Sequence, residues 1–301
     1  MEEKRTYLDP NAISRLAGME VAARLVVEGF ISGMHKSPYQ GFSVEFVEHR
    51  QYMPGDEIRY IDWKVFGKSD RYYIKKFEEE TNLRSYIVLD TSGSMGFKSD
   101  KASNMLTKFD YACFLSASLT YLMLKQRDSV GLVTFDDRLK TYIPPRNGPS
   151  HLHIIISELE KSSPGKETNI STTFHELAQR IVRRGLVIII SDLLDDPEKV
   201  LRSLKHFRHK KHEVIVFHVL DPAELMFPFD GTVLFRDMET QRQLTIEAEI
   251  LKDEYLRKIK NLINEYKNGC NASLIDYVQI DTSVPFDYAL SAYLSKRNRQ
   301  K

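Results

Sequence analysis

The chain has 301 residues, with 43 Lys and Arg against 42 Asp and Glu, and its formal net charge is +1 at pH 7. Hydrophobic residues make up 42% of the chain, which is a globular composition with ample material for a buried core. Because this balanced charge provides no whole-chain attraction to nucleic acid or to anionic lipid, we expect neither as a partner.

The first third of the chain has a different pattern from the rest. Apolar residues at helical spacing predict a helix over residues 11–30. Alternating apolar and polar residues over 42–46 predict a half-buried strand, and Trp63 is expected to pack against the core. We therefore predict an N-terminal helix plus a strand-rich module over residues 1–83.

From residue 84 onward, short apolar runs alternate with helical patterns. The predicted strands lie at 85–89, 130–135, 139–143, 186–191, 213–220 and 272–277, and the predicted helices at 103–126, 150–160, 170–183, 197–206, 248–267 and 285–294. This alternation predicts an α/β fold over residues 84–301, with a doubly wound, mostly parallel sheet covered by helices on both faces. One strand pair is expected to be antiparallel because three residues join it, and a hairpin is expected near 231–246.

Two of these strands end in acidic residues at the sheet edge where open parallel sheets bind ligands. Asp90, Ser92 and Ser94 alternate in a turn after the first strand of the sheet, and Asp192 follows the strand at 186–191. Carboxylate and hydroxyl oxygens suit a hard, octahedral cation such as Mg²⁺ or Mn²⁺. The pattern predicts a metal site to which a third loop, containing Thr168, adds a ligand.

Several motifs resemble known families. The Asp-x-Ser-x-Ser sequence at 90–94 resembles the metal-ion-dependent adhesion site of von Willebrand factor A domains. Longer stretches resemble the bacterial family catalogued as domain of unknown function 58, and the resemblance covers about 41–294. These stretches are HRQYMPGDEIRYIDW at 49–63, DYA at 110–112, HVLDPAE at 218–224 and FDG at 229–231.

The resemblance implies a von Willebrand factor A-like fold and a function. By position, the metal ligands are Asp90, Ser92, Ser94, Thr168 and Asp192, with Thr172 and Thr173 as alternatives for the threonine. The family is typically encoded beside MoxR-type AAA+ ATPases. This implies a non-catalytic, metal-dependent protein-interaction module that works with such an ATPase to assemble or activate other proteins.

Two other function classes remain as alternatives. A haloacid-dehalogenase-like phosphotransferase also has an Asp nucleophile after a strand and a later Asp that binds Mg²⁺, but it uses Asp-x-Asp, and Ser92 occupies the place of its general acid. A metal-free structural adaptor is the second alternative. Neither a Gly-x-Ser-x-Gly elbow nor a phosphate-binding loop occurs, so neither an α/β-hydrolase activity nor an ATPase activity is predicted.

The location is predicted from the cysteines and the apolar segments. Cys113 and Cys270 are too few for a disulfide framework or a Cys-rich zinc site, and this favours a reducing cytoplasm. The N-terminus leads into no apolar run, so we expect no signal peptide. The most apolar helical stretch, at 111–124, is too short to cross a bilayer, and we expect no membrane insertion.

Overall fold

A computed structural model describes residues 18–35, 49–53, 63–69, 71–75, 83–99, 106–165, 170–238 and 242–298. The helices are α1 Met19–His35, α2 Trp63–Ser69, α3 Lys108–Lys125, α4 Pro149–Lys161, α5 Ile170–Arg180, α6 Pro197–His209, α7 Pro222–Met226, α8 Ala248–Ala272 and α9 Asp287–Asn298. The strands are β1 His49–Gln51, β2 Tyr73–Lys75, β3 Arg84–Asp90, β4 Ser129–Phe135, β5 Leu139–Arg146, β6 Leu186–Ser191, β7 Glu213–Leu220, β8 Thr232–Arg236, β9 Gln243–Glu247 and β10 Asp276–Asp281.

A six-stranded sheet in the order β10-β7-β6-β3-β4-β5 forms the centre of the fold. All neighbours in it are parallel except β4 and β5, which pair antiparallel. From β3 the chain builds outward through β4 and β5, then returns to β6 on the other side of β3 and builds outward through β7 and β10. The order therefore reverses between β3 and β6, which is where such sheets bind ligands. This topology confirms the predicted doubly wound, mostly parallel α/β fold.

Both faces of the sheet are buried, which explains why its central strands are apolar at nearly every position. Along β3, Ile87 and Leu89 pack in a core with α1, α3, α4 and α9. Tyr86 and Val88 point the other way, into a core with α5, α6 and α8. Successive side chains of a strand point to opposite faces, so β3 is clamped between two helical layers.

The N-terminal helix α1 belongs to the first of these cores. Ala22, Val26 and Phe30 are buried in the same cluster as the side chains of α3. The strands β1 and β2 form a separate antiparallel pair. The predicted strand at 42–46 and residues 11–17 of the predicted helix lie outside the described residues, and the division of the chain at residue 83 stays a prediction.

The structure corrects three details of the prediction. Trp63 is 58% exposed and meets the ring of Phe66, so it does not pack against the core. The helix that is predicted to begin at 103 begins at Lys108 instead. Thr107 caps its N-terminus through a reciprocal pair of hydrogen bonds with Asp110. The last strand is β10 rather than 272–277, since α8 continues to Ala272.

Two further predicted features concern the hairpin and the membrane. Strands β8 and β9 pair antiparallel in the segment where a hairpin is predicted. Within the part of the chain that the structure describes, no helix combines the length and the apolarity needed to cross a bilayer.

Candidate metal and interaction site

The carboxylate of Asp90 lies at the point where the strand order reverses, at the end of β3. Its Oδ1 accepts a hydrogen bond from the Ser92 backbone N–H at 2.8 Å, and its Oδ2 accepts one from the Ser191 hydroxyl at 2.6 Å. The side chain is fully buried. Burial, together with the negative charge of Asp192, raises the pKa of Asp90 to about 7. The site therefore favours additional positive charge near this carboxylate.

Two hydroxyls stand next to Asp90 in the loop after β3. A short 3₁₀ helix, Gly93–Gly96, folds this loop so that Ser92 Oγ lies 3.1 Å from Ser94 Oγ. The loop is anchored at Thr91, whose backbone N–H and hydroxyl both donate to the carbonyl of Phe135 at the end of β4. Ser92 is buried and Ser94 is half-buried.

The second acidic residue, Asp192, follows β6 directly and is also buried. Its Oδ2 accepts a hydrogen bond from the Lys108 ammonium at 2.7 Å. The same Nζ donates at 2.7 Å to Oε1 of Glu224 in the short helix α7. Although burial opposes the charged form, the two carboxylates raise the pKa of Lys108, which is fully charged at neutral pH.

The carboxylate of Glu224 connects this ion pair to the end of β7. Its Oε2 accepts a hydrogen bond from the Asp221 backbone N–H at 2.8 Å, and Asp221 in turn caps α7 through the Ala223 N–H. Burial raises the pKa of Glu224, while the Lys108 charge acts in the opposite direction. Lys108 therefore joins the loops that follow two neighbouring strands.

A buried histidine fixes the backbone of Asp192. His218 Nε2 lies 2.8 Å from the Asp192 carbonyl oxygen, which only accepts, so Nε2 carries the proton. Its Nδ1 lies 2.6 Å from the Tyr277 hydroxyl, which donates to it. Burial lowers the pKa of His218 to about 4. The ring is therefore a neutral hydrogen-bonding group at physiological pH.

The structure describes only part of the segment in which the threonine ligand is predicted. Thr168 lies outside the described residues. Helix α5 begins next to the loop after β6, because the Ile170 N–H donates to Asp195 Oδ2 at 3.1 Å. In the first turn of α5, Thr172 is exposed, whereas Thr173 is buried and its hydroxyl has no hydrogen-bond partner among the described residues.

The residues at this edge fit a hard cation in their chemistry. Among the described residues, no three His, Cys, Asp or Glu side chains are grouped so as to hold a metal ion. A metal at this edge would therefore depend on hydroxyl oxygens, and the Ser92–Ser94 pair next to the buried Asp90 supplies them. Oxygen donors of this kind suit Mg²⁺ or Mn²⁺. One oxygen of Asp192 is already bonded to Lys108.

Sequence reasoning brings Asp90, Ser92, Ser94 and Asp192 to this edge but misses Lys108, Glu224 and His218 as members of the site. Both Glu224 and His218 lie in the stretch 218–224, whose only signal in the sequence is its resemblance to the family. Lys108 gives only a faint signal: it is the first residue of a helix that is apolar on nearly all faces, as buried helices are.

Comparisons with known proteins find a matching family model and related proteins. The family model described as "Protein of unknown function DUF58" matches residues 48–262. A relative from Mycobacterium tuberculosis, "Uncharacterized protein Rv1480", is 27% identical over 275 residues, which cover 89% of this chain and 84% of that protein.

Among solved structures, "an aerotolerance-related membrane protein from Bacteroides fragilis" matches with a TM-score of 0.50 at 19% identity, covering 72% of this chain and 99% of that one. The VWA domain of SpRpn10 matches with a TM-score of 0.41 at 11% identity, covering 69% and 93% of the two chains. The first of these matches shows a shared fold and carries no functional conclusion.

Proposed function

The chain belongs to the family described as protein of unknown function DUF58, and we propose that it is a metal-dependent protein-interaction module without catalytic activity. The observation that carries the proposal is the meeting of two loops at the reversal of strand order. The loop after β3 brings Asp90, Ser92 and Ser94, and the loop after β6 brings Asp192. These are four of the five ligands predicted from the sequence.

The proposed ligand set gives the site its chemistry. A divalent ion held mainly by hydroxyl oxygens keeps enough positive charge to attract a carboxylate from another protein. Ser92 and Ser94 are the direct hydroxyl ligands in this proposal, and Asp90 and Asp192 hold the ion and its waters. Ser191 and the Ser92 N–H orient Asp90 for that role, as outer hydrogen bonds do in metal sites.

The residue two positions after Asp90 argues against the phosphotransferase alternative. That class uses Asp-x-Asp with the second Asp as general acid, whereas Ser92 occupies this place and its hydroxyl lies 3.1 Å from that of Ser94. A serine hydroxyl does not protonate a leaving group at neutral pH. Phosphate release from a generic aryl phosphate, abolished by Asp90→Asn, is the result that would favour the phosphotransferase.

The proposed partner is a MoxR-type AAA+ ATPase, which presents an Asp or Glu side chain to the ion. This part of the proposal comes from the family resemblance, as does the wider role in assembling or activating other proteins. The cytoplasm is the proposed location. Cys113 and Cys270 are both free and buried, which is compatible with a reducing compartment.

Binding to a MoxR-type ATPase from the same genome tests the proposal, measured with Mg²⁺ and again with a chelator. We expect Ser94→Ala and chelation each to weaken binding at least about tenfold, which is the loss of one charge-assisted contact. The matched control is Ser273→Ala, because the Ser273 hydroxyl bonds to the Gly269 carbonyl at the end of α8, near the opposite edge of the sheet. Equal binding with the chelator would favour the metal-free adaptor.

A further inference from the structure

Lys108 has an unusual position for a lysine, and the proposed function does not use it. It is the first residue of α3, where the positive end of the helix dipole disfavours a cation, and its side chain is 0% exposed. Removing an ammonium from water is costly unless its charge is compensated. The folded protein therefore keeps this buried charge although both the helix dipole and the loss of hydration disfavour it.

The compensation comes from carboxylates that surround the ammonium on two sides. Asp192 approaches from the loop after β6 and Glu224 from α7, each at 2.7 Å from Nζ. The ring of Phe97, in the loop that follows Ser94, lies 5.8 Å from the same nitrogen. The ammonium thus contacts the loop after β6 and helix α7, and it lies near the loop that carries Ser92 and Ser94.

Charge counting shows why this matters for a metal. Within the described site, Asp192 and Glu224 share a single ammonium, and the carboxyl group of Asp90 lies near that of Asp192. A divalent ion at Asp192 and the Lys108 ammonium require the same region of negative charge, and they repel each other strongly in a buried environment. Asp192 therefore cannot bind the ion and the ammonium equally strongly at the same time. Lys108 has a second carboxylate partner, Glu224, with which it can stay paired.

We propose that the Lys108 ammonium is a built-in competitor of the divalent ion for Asp192. With Lys108 on Asp192, part of the negative charge at the site is neutralised without metal. When an ion binds, Lys108 keeps its contact with Glu224 and gives up its contact with Asp192. This inference rests on the proposed function, and it makes Lys108 a positioning residue that sets the affinity of the site.

The test compares Mn²⁺ affinity in variants, measured from the electron paramagnetic resonance signal of free Mn²⁺. We expect Lys108→Met to tighten Mn²⁺ binding at least about tenfold, because it removes a buried positive charge next to the ion. Lys125→Met is the matched control, since it makes the same change at the exposed far end of the same helix, and its affinity is expected to equal that of the wild type.

A second pair of variants keeps the test decisive in case the Lys108→Met protein does not fold. Lys108→Met alone leaves two carboxylates without their cation, whereas Lys108→Met/Glu224→Gln removes one charge of each sign. We expect the double variant to bind Mn²⁺ at least about tenfold more tightly than Glu224→Gln, the background from which it differs only at Lys108.

The outcomes separate this inference from the proposed function. If the wild type binds Mn²⁺ and neither Lys108 variant binds it more tightly than its background, the competition is refuted while the metal site stands. If no protein in the series binds Mn²⁺, the metal site itself is refuted and the competition falls with it. Binding that appears only after Lys108 is removed supports both.

Discussion

Replacing Lys108 with alanine should destabilise the fold far more than a lysine substitution normally does. The ammonium donates two hydrogen bonds of 2.7 Å, to Asp192 and to Glu224. Hydrogen bonds to charged groups contribute about 1.5–3 kcal/mol each, so their loss costs about 3–6 kcal/mol. Removing one partner of a buried ion pair costs a similar amount, about 3–5 kcal/mol, because the remaining charges stay buried.

Urea unfolding at pH 7.5 measures this loss as a free energy of unfolding. The control is Lys125→Ala at the exposed C-terminal end of the same helix, where we expect a loss of no more than about 1 kcal/mol from the helix dipole. A loss below about 1 kcal/mol for Lys108→Ala, or equal losses in the two variants, would refute the reasoning.

The pH dependence of the same variant provides an internal check. Without the ammonium, whose charge opposes the effect of burial, the pKa of Glu224 in the folded state rises further above its value in the unfolded chain. A raised carboxyl pKa means that the folded state takes up protons first as the pH falls. The stability deficit of Lys108→Ala should therefore be largest near pH 8 and should shrink toward pH 5.

Two further predictions concern residues that support the fold around the site. Burial holds the pKa of His218 at about 4, so as the pH falls from about 6.5 toward 4 the unfolded chain takes up a proton that the folded chain does not, and stability drops by about 3 kcal/mol. In urea unfolding, His218→Gln should give a stability curve flatter by that amount over this window, whereas parallel curves would contradict the assignment. A Cβ on Gly131 would lie 2.6 Å from the Ile143 carbonyl oxygen in the neighbouring strand, so Gly131→Ala should lower the free energy of unfolding by about 1–3 kcal/mol. Gly67→Ala, at a helical position with nothing within 4 Å of the added atom, should not lower it, and equal losses would contradict the steric argument.

The central sheet could be predicted because its strands are buried on both faces. Continuous apolar runs such as those of β3 and β6 have few alternatives to a doubly covered strand, and the structure places both close to the predicted bounds. Helix boundaries that depend on a local hydrogen bond were harder to predict from the sequence. The start of α3 is fixed by the Thr107 cap, and helical spacing alone extended the prediction beyond it.

The candidate site was predictable to the extent that its residues belong to strand ends. Asp90 and Asp192 follow apolar runs, so the topology brings them to one edge of the sheet. Lys108 is different, since its partners Asp192 and Glu224 lie 84 and 116 positions away in the chain. A lysine at the start of a helix is normally solvated, and no spacing in the sequence reveals that this one is buried.

Calorimetric titration of the wild type and of Ser92→Ala with Mg²⁺ and Mn²⁺ tests the central claim most directly. Ser273→Ala serves as the control at the other edge of the sheet. The account predicts that the wild type and the control bind the ion and that Ser92→Ala binds it at least about tenfold more weakly, since a hydroxyl ligand is lost. Equal affinity in Ser92→Ala would contradict a serine-ligated site, and no binding in any of the three proteins would leave the fold without the proposed ion.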